Sequence, residues 1–530
     1  MPESYLNARS TTGTDTRVWD VSPQSGMCPI CIRDCQTLCE IGKSAFRGRE
    51  VLYPIPEQYG YSTQASNKDY VLDWSHFQIL TDLTGAKGIE PDPDKAIFPA
   101  VDIETSVGGV PLRIPVLTAA LGSTAVAKNF WRELAIGAAI SGTIQTIGEN
   151  VTGMDPKAQF ENGRVTYTED LAFRVKTYRE FWDGKYGDIA VQTNVEDQRL
   201  GQDVYALSKL EVNIIERKWG QGAKAIGGEV RLQSIDRAIL LKKRGYVVFP
   251  DPEDPAVQEA FKMGTFRSFE RHSRVGMITE KGFLEDVDWL RAQGAKKVFL
   301  KTGAYRPEAV AFTMKLASEA RIDAVTFDGA GGGTGMSPVP MMQECSTPTV
   351  FLEAQVLRCI ELLERHGRYV PDIVMAGGFI SETQILKSIA MSNLGKGPYV
   401  KAVAMARAPI TAAMKASYFA ELAETGGLPT EFKASYGDRP DQFFVTTTEL
   451  KSRFGEDFKK LPAGAIGLYT YYCDRLATGL RQLMAGCRVW KLNLLNRGNL
   501  ASLTERAYKV TGIPLIENVE QDAIEAILDY

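Results

Sequence analysis

From residue 111 onward, short apolar runs alternate with longer stretches whose apolar residues recur at helical spacing. The first run, Ile114–Ala120, has strand length. After it, Ala127, Phe130, Trp131, Leu134 and Ala138 fall on one helical face. Further strands are expected at Gly142–Ile147, Asp188–Gln192, Val212–Lys218, Lys297–Lys301, Ala324–Asp328, Asp372–Ala376 and Ala402–Ala406. Helical patterns lie near 281–293, 306–319, 349–365 and 381–391, with another after 408. Buried strands separated by helices predict an α/β fold with a parallel sheet. Over this length a closed (β/α)8 TIM barrel at 111–425 is the better fit than an open doubly wound sheet, which rarely grows so long.

The pattern is different on both flanks. Residues 1–60 read as a polar arm with a cysteine-rich segment, and 61–110 as an irregular stretch wrapping the barrel. Residues 426–530 read as a C-terminal helical extension. There Cys473, Leu476, Leu480, Met484 and Cys487 form one apolar helix stripe, so these two cysteines are expected in packing. Cys359 fits a similar stripe with Leu352, Val356 and Leu363.

Composition narrows the function classes. The 530 residues are 44% hydrophobic and 24% charged, enough apolar material for a large core. A net charge of -4 gives no electrostatic case for nucleic acid or an anionic membrane as partner. No apolar run has membrane-spanning length, and the first 27 residues carry no apolar signal segment, so a cytoplasmic location is expected. Three histidines make a zinc site built on several imidazoles a poor reading.

The cysteines change the picture. Cys28, Cys31, Cys35 and Cys39 fall on one short loop with spacing C-x2-C-x3-C-x3-C. In a reducing compartment clustered thiols read as metal ligands before disulfides. Four thiolates on one loop suit a 4Fe-4S iron–sulfur cluster. Structural zinc and unliganded redox thiols are the alternatives, and Cys345 is a candidate replacement ligand.

Glycine loops follow the later strands. Gly329-Ala330-Gly331-Gly332-Gly333-Thr334-Gly335 comes directly after Ala324–Asp328, and it is not a dinucleotide fingerprint. Gly377-Gly378 follows the seventh strand and Ala406-Arg407 the eighth, where eight-fold barrels commonly bind phosphate. Amides at a helix N-terminus supply positive potential there, and Arg407 adds a charged donor. Lys301 ends the fifth strand, facing the ligand mouth. Beside a flavin it would stabilise negative charge on the reduced ring.

Together these residues resemble the FMN-binding synthase domain of the glutamate synthase family, in a short form with an N-terminal four-cysteine segment. Lys218-Trp219-Gly220-Gln221-Gly222-Ala223-Lys224 is similar to the family's Q-G-A-K loop. Gly332-Gly333-Thr334-Gly335-Met336-Ser337-Pro338 is similar to its G-G-T-G-x-S-P, and Gly148-Glu149 to its T-G-E, here within Thr146-Ile147-Gly148-Glu149-Asn150. The resemblance implies FMN over the barrel mouth, surrounded by Ala120, Gly122, Lys301, Gly332, Gly333, Gly377, Gly378, Ala406 and Arg407. It implies Glu149, Lys218, Gln221 and Lys224 on the substrate side, with a 2-oxo or 2-imino acid such as 2-iminoglutarate as substrate. The expected activity is a flavin-dependent oxidoreductase fed with electrons through the cluster. Expected partners are ferredoxin or another electron-donor protein, a separate ammonia-supplying subunit, and further copies of the chain in a homo-oligomer. The first cysteine is Cys28, so no N-terminal catalytic cysteine is expected, and 408–422 carries none of the cluster cysteines that larger members place there. The alternatives are the same cofactors with another small-molecule substrate, or an electron-transfer subunit without chemistry of its own.

Overall fold

The computed structural model describes residues 33–34, 36, 40–49, 66, 70–334 and 337–529. Its centre is a closed barrel of parallel strands: β1 (Val116–Leu121), β2 (Gln145–Ile147), β3 (Ile189–Thr193), β4 (Ile214–Lys218), β5 (Lys297–Thr302), β6 (Ala324–Asp328), β7 (Asp372–Ala376) and β8 (Val400–Met405). The ring closes by β8 against β1, with Val403 opposite Val116.

Alternation along each strand divides the side chains. On β5, Val298 and Leu300 pack outward into the strand–helix core, while Phe299 joins the barrel interior. Lys301 follows on the interior side, in register with Lys218 of β4 and Thr326 of β6. The interior is lined by small residues, among them Ala119, Ala190, Ala324, Ala402 and Ala404. A hairpin of Thr105–Val107 and Val110–Leu112 plugs its N-terminal end, inserting Val107, Val110 and Leu112 into that cluster. The functional end is therefore the C-terminal mouth, as is usual for this architecture.

Most expected strands fall within a residue or two of their observed positions; two boundaries need correction. The second strand starts at Gln145, because Gly142 takes φ 68 and caps the helix α1 (Trp131–Ser141). The eighth ends at Met405, and the helix α2 (Arg407–Glu424) begins immediately after Ala406.

Between β4 and β5 the chain builds a unit that the apolar-run pattern does not reveal. Glu229–Leu232, Val247–Phe249 and Phe269–His272 form a three-stranded antiparallel sheet with the last strand in the centre. Leu232, Ala238, Leu241, Tyr246 and Phe269 form its core, shared with Met154 and Leu200 of the barrel's own connections. The short N-terminal helix Glu40–Arg47 leads to Arg49, which pairs with Glu270 of this sheet at 2.6 Å and lies 4.4 Å over the Phe249 ring.

In the C-terminal region a helical run from Ala463 to Gly486 contains a π-helical stretch, Thr470–Leu476. Leu476, Leu480, Met484 and Cys487 of the expected stripe are buried, and Cys473 is partly covered. Among the described residues no helix is long and apolar enough to cross a membrane.

Candidate active site

A cavity of about 730 Å³ opens at the C-terminal mouth. All of the barrel residues singled out from the sequence line it: Ala120, Gly122, Glu149, Lys218, Gln221, Lys224, Lys301, Gly332, Gly333, Gly377, Gly378, Ala406 and Arg407. Cys28, Cys31, Cys35 and Cys39 lie outside the described residues, as do Gly335 and Met336 of the glycine loop. Cys345 is exposed, and among the described residues no group of three metal-capable side chains gathers.

One end of the cavity is backbone. Gly377 and Gly378 have φ 116 and 91, conformations that L side chains rarely adopt. Their loop presses against the β6 loop so closely that a Cβ on Gly331 would stand 2.8 Å from the Gly377 carbonyl oxygen. Beside it, the N-terminus of α2 faces the cavity with Arg407 as its first residue, largely exposed. Tyr471, carried by the π-helical stretch, also lines this end, and its hydroxyl donates to the Ile380 carbonyl at 2.7 Å.

The other end is charged. Lys218 ends β4 and donates to Glu149 Oε1 at 2.6 Å and to Gln221 Oε1 at 2.8 Å. The Gln221 amide donates in turn to Thr334 Oγ1 at 2.9 Å. Burial pushes the Glu149 carboxyl up, but the adjacent Lys218 ammonium outweighs it and brings the group down to about 2. Lys224 closes the tight loop after β4, where Gly222 is obligatory because a Cβ would collide with the backbone of Gly329. Lys224 is buried, and burial pulls its ammonium down to about 8 although Glu229 lies 3.9 Å away. Ser337 Oγ, donating to the Ala223 carbonyl at 2.8 Å, ties this loop to the one after β6.

Lys301 stands between the two ends. It is 6% exposed and lies 3.4 Å from Asp328 Oδ2, so it is not a solvated surface lysine. Burial lowers its pKa, but Asp328, Glu216 and Glu149 outweigh that and hold the ammonium charged.

Three contributors escaped the sequence reading. Asn150, directly after Glu149, takes φ 64, a left-handed position asparagine tolerates. Its N–H donates to both Asp197 oxygens at 3.0 Å, and its side-chain carbonyl faces Tyr246 and Ser273 of the inserted unit at 3.4 Å. Burial raises Asp197 to about 7 despite those donors. Tyr471 is the second. The third is Arg271, from the central strand of the inserted sheet. It lines the cavity, is 1% exposed, donates to Ser273 Oγ at 2.7 Å and lies 4.9 Å from the Tyr246 ring. Its Nε has no hydrogen-bond partner, and among the described residues no carboxylate forms an ion pair with it. Phe269 and Glu270 beside it are buried as well, so no alternation of apolar and polar residues in Phe269-Glu270-Arg271-His272 signals it.

Residues 272–406 match the model for the conserved region in glutamate synthase. The match takes in Lys301, Gly332, Gly333, Gly377, Gly378 and Ala406 and stops short of Glu149, Lys218, Gln221 and Lys224. No curated protein sequence matches the chain. Among solved structures, a mutant flavocytochrome b2 with pyruvate bound is 14% identical, with TM-score 0.45 over 82% of this chain and 78% of that one. A lactate oxidase of Pediococcus acidilactici is 13% identical, with TM-score 0.42 over 91% of this chain and 96% of that one. An (S)-mandelate dehydrogenase, described as a monotopic membrane protein, is 13% identical, with TM-score 0.42 over 81% and 89%. The barrel itself rests on the strand pairing given above.

Proposed function

We propose that this chain, which carries the conserved region of glutamate synthase on a closed barrel, is an FMN-dependent oxidoreductase of the glutamate-synthase type. Its substrate is a 2-oxo or 2-imino acid such as 2-iminoglutarate. The observation that carries this reading is the polarity of one cavity, with glycine backbone and a helix N-terminus at one end and the cations Lys218, Lys224 and Arg271 at the other.

The residues present fit FMN. Gly377, Gly378 and the amides opening α2 offer a phosphate cradle that a Cβ would fill or strain, with Arg407 beside it. Lys301 would supply a buried cation to the bound ring, and Ala120, Gly122, Gly332 and Gly333 are small residues lining the same cavity. When bound, the flavin supplies two-electron reduction of the substrate carbon. Lys224 and Arg271 would hold the substrate carboxylates by charge-assisted hydrogen bonds. Lys218, fixed by Glu149 and Gln221, would stabilise negative charge developing on the substrate's reacting group. The surrounding wall keeps these donors largely dry, which strengthens each contact.

Electrons would arrive from ferredoxin or a similar one-electron donor through a 4Fe-4S cluster on Cys28, Cys31, Cys35 and Cys39, a reading supported by their spacing alone. The test is anaerobic isolation with measurement of released flavin, iron and sulfide. Chemically reduced protein is then mixed with 2-oxoglutarate and ammonia, and glutamate is sought. Reduced protein that stays reduced under these conditions rejects glutamate synthesis. Absence of FMN after isolation from flavin-replete cells rejects the class. If Lys224→Ala leaves reoxidation by every accepted substrate unchanged, the assignment of the cationic end is wrong.

A further inference from the structure

The barrel interior holds a carboxylate that does not line the large cavity. Glu216 lies on β4 and pairs with Phe299 of β5, two residues before the pairing of Lys218 with Lys301. Phe299 belongs to the interior cluster, and strand alternation returns Lys301 to the same face. Glu216 is 5% exposed and lines an interior void of about 10 Å³ with Lys301, Thr146 and Thr326. That volume admits one water molecule at most. Among the described residues, Lys301 is the charged side chain that lines both this void and the large cavity.

Barrel interiors are ordinarily filled by branched apolar side chains, and an anion there costs free energy unless cations and donors compensate it. Glu216 Oε1 accepts from the Gln192 amide of β3 at 2.6 Å. Burial pushes the Glu216 carboxyl up; Lys301, the Gln192 amide and Lys218 pull it back, and Glu149 adds a smaller push upward. In return Glu216 is one of the carboxylates, with Asp328 and Glu149, that hold Lys301 charged. The two groups are coupled, yet Lys301 alone of the pair lines the cavity.

We propose that Glu216 is a positioning residue that acts on bound FMN through Lys301. It holds the ammonium from inside the barrel and offsets part of its charge, which limits how far Lys301 favours reduced over oxidised flavin. This rests on the reading of the cavity as an FMN site with Lys301 at the ring. Reduction by two electrons and one proton adds one negative charge to the ring, and a neighbouring cation lowers the energy of that form. An anion behind the cation weakens the effect, so removing it raises the potential.

The experiment compares wild type, Glu216→Gln, Lys301→Gln and the double variant by anaerobic redox titration of the FMN-loaded proteins at mildly alkaline pH. Glutamine keeps the shape of the side chain and an oxygen for the Gln192 donor. In Glu216→Gln the ratio of reduced to oxidised flavin affinity should rise about tenfold, a midpoint about 30 mV higher for a two-electron couple. In Lys301→Gln the main opposing cation is gone and burial returns Glu216 to its neutral form. Adding Glu216→Gln to that background should therefore leave the midpoint where Lys301→Gln put it. Infrared difference spectra of the oxidised proteins give a second readout. Lys301→Gln should gain a neutral carboxyl band over wild type, moved by carboxyl-labelled glutamate.

A midpoint that is unchanged or lower in Glu216→Gln overturns the proposal. So does an equal rise in the Lys301→Gln background, since a merely structural role would act there too, and so does the absence of the new carboxyl band. If wild type binds no FMN, the cofactor reading fails and the proposal falls with it. If the midpoints move as stated but reduced wild type ignores every 2-oxo acid, the role of Glu216 stands and the proposed substrate falls.

Discussion

Arg271 offers the sharpest test of the cationic end, because its two expected effects have opposite signs. The guanidinium is 1% exposed, and among the described residues its Nε is unpartnered and its compensation is one hydroxyl at 2.7 Å and one aromatic ring at 4.9 Å. Burial without a contacting anion costs stability, which a ligand anion would restore on binding. Arg271→Met keeps much of the volume and removes the charge. Loss of a charge-assisted contact should weaken binding by about 1.5–3 kcal/mol, roughly ten- to hundredfold in dissociation constant. The ligand-free protein should melt at the same temperature or higher, since functional sites are commonly held at a cost in stability. Calorimetry on FMN-loaded protein would compare glutarate with butyrate. Wild type should prefer the dicarboxylate, and Arg271→Met should lose most of that preference while its FMN content is unchanged. Equal glutarate affinity in both proteins, or a clear fall in the melting temperature of the ligand-free variant, would refute the reasoning.

Three other outcomes are expected. Gly378→Asp adds a side chain at φ 91 and a negative charge to the phosphate cradle, so the purified variant should lack FMN, as read by flavin absorbance after denaturation. Tyr471→Phe removes the hydrogen bond to the Ile380 carbonyl but keeps the ring, and should weaken FMN binding several-fold, by about 1 kcal/mol, in a fluorescence titration. His272 is raised from 6.5 to about 9 by Glu229 and Glu270, so its contribution to stability is complete below about pH 6.5 and is lost as pH rises through about 9. Melting temperature should therefore decline over that window in wild type, and less steeply in His272→Gln.

The barrel was legible because its strands are covered on both faces and read as unbroken apolar runs. Ala324–Asp328 and Asp372–Ala376 stand where the pattern puts them. Gly142 misled because the helix cap runs straight into Thr143–Ile147, buried throughout, with no polar turn between them. The inserted sheet was not legible for a different reason. Its central strand reads Phe-Glu-Arg-His, and three of those residues are buried by pairing with charges and rings that only the folded chain brings near. The residues of the glycine loops were readable because strand count alone locates the ends of β6, β7 and β8. Arg271 is far along the chain from Lys224, and no spacing rule joins them. Tyr471 was hidden because its neighbours in the helical run face the core, and the π-helical stretch turns it elsewhere.

The inserted sheet divides the cavity into parts with separate histories open to them. The glycine-loop end is made by barrel loops and Tyr471, whereas Glu229 and Arg271 sit on a module whose small core is shared only with Met154 and Leu200 of the barrel's connections. Such a module can drift in sequence while the barrel stays fixed, so a changed ligand preference needs only local substitution there. An engineer wishing to retarget the protein would accordingly randomise Glu229, Val230 and Arg271 as a block and leave every barrel strand untouched.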